Sequence, residues 1–143
     1  MDECKALPTP LEQNVKLCSD DGTKEVDGTL YRWLVGSLNY ITTTMPDIAY
    51  FVDILSMFMA NPHEIHWKAT KRVLRFLKGT INFGIKYIDE FDVELTGHFD
   101  SDWAGNLDGK RSTTSYAFRI GYGVVSWSSK KQPTVSLSST KAE

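Results

Sequence analysis

Residues 61–88 read NPHEIHWKATKRVLRFLKGTINFGIKYI, and the fold turns on the change of period inside this stretch. Asn61-Pro62-His63-Glu64 is a helix start signal, with an Asn cap, Pro at the first helical position and an acid in the first turn. The run to Lys78 then places Trp67, Val73, Leu74 and Leu77 on one face and basic residues on the other, and Gly79 stops it. From Phe83 the period drops to two, so residues 83–88 read as a strand. A helical pattern followed by a strand pattern predicts an α+β fold.

The same reading extends both ways. Upstream, Leu30, Leu34, Leu38 and Ile41 share a helical face, and Pro46 with Asp47 opens a second helix through Ile48, Phe51, Val52, Leu55 and Phe58. Downstream, residues 93–99, 113–120 and 124–127 read as strands, with Gly121-Tyr122-Gly123 as a hairpin turn and a further helix expected after Ser138. Residues 1–29, with Pro8, Pro10 and Asp20-Asp21-Gly22, read as an extended, mobile arm. The expected organisation is an arm over 1–29, a helical segment over 30–80 and a sheet segment over 81–143. That is three helices followed by an incomplete antiparallel sheet.

With 143 residues, 41% apolar and 24% charged, the chain has the balance of one globular domain rather than of a disordered one. A net charge of −2 excludes a global bias toward nucleic acid or membrane. Charge is instead arranged in blocks. Residues 68–78 carry Lys68, Lys71, Arg72, Arg75 and Lys78 without an acid, between acidic stretches over 1–27 and 81–108. Cys4 and Cys18 make neither a disulfide scaffold nor a zinc spacing. His63 and His66 stand three apart, too few ligands for zinc, and read as surface histidines at the helix start. No apolar run is long enough for a membrane span, and the N-terminus lacks the basic and apolar regions of a signal peptide.

From Leu30 to Glu143 the chain resembles the Pol polyprotein of copia-type retrotransposons, where the end of reverse transcriptase passes into ribonuclease H. The resemblance rests on Gly36-Ser37-Leu38, Met45-Pro46-Asp47-Ile48-Ala49, His66-Trp67-Lys68-Ala69, Arg72 through Thr80, Asp100-Ser101-Asp102-Trp103-Ala104-Gly105, Arg111-Ser112-Thr113-Thr114 and Ser126-Trp127-Ser128-Ser129-Lys130-Lys131-Gln132. Met45 and Lys141 depart from the Arg and Glu usual in that family. The resemblance implies a ribonuclease-H-like sheet. It also makes Asp100 and Glu143 vestigial counterparts of a carboxylate set that would clamp two metal ions. The family's other ligands match no residue here, so no enzyme activity, metal or cofactor is expected, and Asp100 and Asp102 read as a solvated strand end. In that family the helices before ribonuclease H handle a nucleic-acid duplex, which makes Lys68, Lys71 and Lys78, with Trp67 as a stacking residue expected to be buried, candidate contacts.

Arg72-Val73-Leu74-Arg75 is also the string that names the RxLR family of secreted effectors of plant-pathogenic oomycetes. The whole chain resembles such effectors with a copia-like body. That resemblance implies secretion, entry into the host cytoplasm or nucleus, a host-protein partner, and suppression of immunity and cell death. The residues themselves read equally as one amphipathic helix, with Val73 and Leu74 inward and the two arginines outward. The expected function is that of a non-catalytic effector; the alternative is a catalytically incomplete Pol fragment that is inert or binds nucleic acid. A sheet ending at Glu143 is expected to be marginally stable alone.

Overall fold

The computed structural model describes residues 3–12, 15, 17–20, 22–89, 94–102 and 112–133. The chain divides into two compact units, Met1–Asn82 and Phe83–Glu143. Among the described residues the first carries three α-helices and the second a three-stranded antiparallel sheet, the α+β class expected.

Helix α1 spans Gly28–Ile41. Asp27 caps it, its Oδ1 accepting from the backbone N–H groups of Thr29 at 2.8 Å and Leu30 at 3.1 Å. At the other end the hydroxyls of Thr42, Thr43 and Thr44 donate to the carbonyls of Asn39, Tyr40 and Ile41, at 2.7, 2.7 and 3.1 Å. These bonds satisfy carbonyls that a helix end leaves without partners. The buried residues are Tyr31, Val35 and Leu38. The expected face is therefore rotated: Leu30 is 47% exposed while Tyr31 is fully covered. The reason is a distant partner, since the Tyr31 hydroxyl donates to the Leu55 carbonyl at 2.9 Å. Burial pushes the Tyr31 pKa up to about 12, against a smaller opposing effect of its hydrogen bond with Thr70.

Pro46–Ile48 forms a 3-10 turn and α2 follows over Ala49–Ser56, burying Ile48, Val52 and Leu55. Helix α3 spans Glu64–Gly79. Its cap is His63, not the Asn61 expected from the start signal. Residues 62–63 are held extended by a short antiparallel bridge: Val26 N–H donates to the Pro62 carbonyl and Glu64 N–H to the Lys24 carbonyl, both at 2.9 Å. The buried face of α3 is His66, Ala69, Thr70, Val73 and Phe76, while Trp67, Leu74 and Leu77 are half-buried at its edges.

The histidines overturn the surface reading, for both are buried. His66 Nδ1 accepts from the His63 backbone N–H at 2.9 Å, so the ring proton sits on Nε2 and is donated to the Cys18 carbonyl at 2.9 Å. The ring also stacks on Phe58 with centroids 4.0 Å apart. A side chain that looks like a ligand thus pins the segment before α1 to the start of α3.

In the second unit β1 (Leu95–Asp102) pairs with β2 (Thr113–Ile120), which pairs with β3 (Gly123–Lys131). Gly121 at φ 54° begins the two-residue loop between β2 and β3, as a primed hairpin turn requires. Val125 has no opposite residue, because Phe118 faces Ser126 and Arg119 faces Val124, which makes it a β-bulge. Residues 83–88, expected as a strand, form none. Tyr87 engages β3 through its side chain instead: its ring lies against Gly123 and its hydroxyl donates to the Val124 carbonyl at 2.6 Å. The helix expected after Ser138 lies outside the described residues.

Candidate functional site

Helical spacing puts Lys68, Lys71, Arg72, Arg75 and Lys78 in one stripe along α3, opposite the face that packs on Val52 and Leu55. The stripe has two halves with different surroundings. Toward the C-terminal end, the arm occupies it. Arg72 Nη1 pairs with Glu12 Oε1 at 2.8 Å, and Arg72 Nη2 donates to Thr9 Oγ1 at 3.0 Å. Arg75 Nε donates to the Lys5 carbonyl at 2.8 Å and Lys78 Nζ to the Cys4 carbonyl at 3.0 Å. Leu7 N–H closes the set by donating to the Arg75 carbonyl at 3.2 Å. The arm read as mobile is therefore tethered along its described residues, by cations that supply the hydrogen bonds its backbone lacks.

Toward the N-terminal end the stripe is open. The Lys68 side chain is 70% exposed and reaches Glu64 only at 3.8 Å. Lys71 is exposed, with Nζ 5.8 Å from the centre of the Trp67 ring. Trp67, expected to be buried, is half-buried and keeps part of its surface beside these two lysines.

The Arg-x-Leu-Arg string lies wholly within α3. Val73 is buried, Leu74 is half-buried, and both arginines bind the arm. Asp100 stands exposed on β1 opposite Ser115, and Glu143 lies outside the described residues. Among the described residues no three His, Cys, Asp or Glu side chains group closely enough to hold a metal ion. No helix among them is long and apolar enough to cross a membrane. The arm contacts were not readable from the sequence. Glu12 is one acid in an acidic stretch, and nothing local marks it as the partner of a residue 60 positions away.

This chain is 47% identical over 139 residues to the retrovirus-related Pol polyprotein from transposon RE1 of Arabidopsis thaliana, and 45% identical over the same length to that from transposon RE2. Each match covers 97% of this chain. It is also 45% identical over 114 residues to secreted RxLR effector protein 161 of Plasmopara viticola, covering 79% of this chain and 80% of that one. The chain carries a retrotransposon Pol-like body.

It spans about a tenth of the length of the Pol polyproteins it matches. No protein-family model matches it, and no solved structure does. The match takes in 97% of this chain, so it covers the basic stripe and the sheet alike.

Proposed function

We propose that this chain is a non-catalytic segment of copia-type Pol descent, whose helical unit contacts the phosphate backbone of a nucleic-acid duplex through Lys68 and Lys71. The observation that carries this reading is the open half of the α3 stripe: two exposed lysines, one turn apart, beside a half-exposed indole. Such a pair neutralises phosphates without reading bases. The contact is local, in keeping with a chain whose net charge is −2.

The test is binding of an RNA–DNA hybrid over a salt series. Each lysine replaced by glutamate should flatten the plot of log affinity against log salt by about 1. Salt-independent binding, or an unchanged slope in Lys68→Glu/Lys71→Glu, would sink the duplex contact. Mg²⁺-dependent cleavage of the RNA strand, lost in Asp100→Asn, would overturn the non-catalytic part.

A second reading is a secreted effector acting inside host plant cells. It is favoured by the relative named as an RxLR effector, of which this chain covers 80%. Expression inside plant cells, scored for suppression of elicitor-triggered cell death, tests it. The geometry bears on the control: Arg72→Ala/Arg75→Ala also loosens the arm, so Glu12→Ala, which removes the ion pair from the arm side and leaves the string intact, must run beside it.

A further inference from the structure

The arm does not seal against α3 along its whole length. Between them lies a cavity of about 610 Å³. That is within the range of small-molecule sites, roughly 300–1,000 Å³, and far larger than the voids left in a close-packed interior. Its walls are aliphatic: Leu7, Leu11, Val15 and Leu17 from the arm side, Ile65 and Ala69 from α3. Among the described residues its charged lining is predominantly cationic, with Lys68, Lys71, Arg72 and Arg75 against one acid, Glu12. Glu12 is already engaged by Arg72 at 2.8 Å. Arg72 also keeps its Nε–H buried without a hydrogen-bond acceptor among the described residues. A cationic, aliphatic cavity suits an anionic group carried on an apolar body.

We propose that this cavity binds an unbranched medium-chain alkyl carboxylate, its chain along Leu7, Leu11, Val15 and Ile65 and its carboxylate among Lys68, Lys71 and Arg72. Charge complementarity selects the head group, because one paired acid faces four cations. The aliphatic walls select the tail, because burying methylene groups there removes apolar surface from water. A sugar or a nucleotide base would leave its hydroxyl or amide groups unpaired against those walls. The site goes beyond the duplex contact. It shares Lys68 and Lys71 with it, but not the aliphatic walls.

Calorimetric titration of the full chain with decanoate, decylammonium, decanol and acetate tests the proposal. Decanoate should bind one to one, with decanol and decylammonium at least about tenfold weaker, the worth of one charge-assisted hydrogen bond. Acetate should not bind measurably. Ala69→Phe, which fills the cavity from α3, should weaken decanoate at least about tenfold while leaving the salt slope of duplex binding unchanged. Leu11→Asp, placed in the arm outside the helices, should do the same to decanoate with the helical circular dichroism intact. Equal binding of decanoate and decylammonium would overturn the proposal, as would decanoate affinity unchanged in Leu11→Asp. Loss of duplex binding with decanoate binding retained would sink the nucleic-acid reading and leave this one standing.

Discussion

In the helical unit the described core contains eleven buried apolar side chains, from Leu17 to Phe76; in the sheet unit no described apolar side chain is buried. Phe99 is 70% exposed and Leu95 64% exposed, although both lie in a well-paired strand. The helices exist because their faces converge on shared neighbours, and isolated helices of this length are marginal in water. The sheet is held by its ladder and by side chains on its surface. Phe118 packs edge-on to Phe99 at 5.4 Å and beside Tyr116 at 5.6 Å, Ser115 bonds Ser129 at 3.2 Å, and Gln132 bonds Thr114 at 2.7 Å. One chain thus carries two solutions to backbone satisfaction. One is burial with side-chain caps; the other is strand pairing with little apolar burial.

The sharpest way to break this contrast is to truncate one side chain in each unit. Leu55→Ala removes a fully buried side chain and should destabilise the helical unit by about 3.5 kcal/mol. Phe118→Ala, at a half-buried position, should cost the sheet only about 1 kcal/mol, the worth of a surface aromatic pair. Hydrogen exchange resolves the two units separately, and equal costs would mean that the sheet has a core of its own. His66→Ala comes next, at about 3 kcal/mol, since it orphans the His63 N–H and the Cys18 carbonyl and removes the Phe58 stack. Urea unfolding checks it.

Tyr31 gives the helical unit an alkaline signature. Its folded pKa of about 12 lies above the ordinary 10, so the folded state holds the proton more tightly. Its contribution is complete below pH 10 and is lost as pH rises from 10 to about 12, a fall of about 3 kcal/mol in all. Stability measured across that window should show the step in the wild type and not in Tyr31→Phe. On the sheet side, Gly121→Val forces a β-branched residue to φ 54° and should cost about 1.5 kcal/mol, read as lost amide protection in β2 and β3. The smallest effect belongs to the arm. Glu12→Gln removes one exposed ion-pair partner and should cost about 0.5 kcal/mol globally, yet speed proteolysis within the arm.

How much of this was written in the sequence depends on how far each residue's partner lies along the chain. The helix of residues 64–79, the β2–β3 hairpin and the turn at Gly121 follow from periodicity and backbone chemistry within a few positions, and they lie where the pattern puts them. Residues 83–88 alternate like a strand but form no ladder, because alternation states a preference and a strand needs a neighbour. The rotation of α1 was hidden because the Tyr31 hydroxyl is anchored 24 residues away. The role of His66 was hidden because its acceptor is 48 residues away. The basic stripe was legible as a stripe; that the arm covers its C-terminal half, through bonds spanning 60 to 74 positions, was not. Sequence by itself determined which local structures form, since torsional preference and side-chain period act over one or two turns. Only the tertiary structure decided which faces are buried, which cations stay open and where a cavity remains, since those depend on groups brought together by folding.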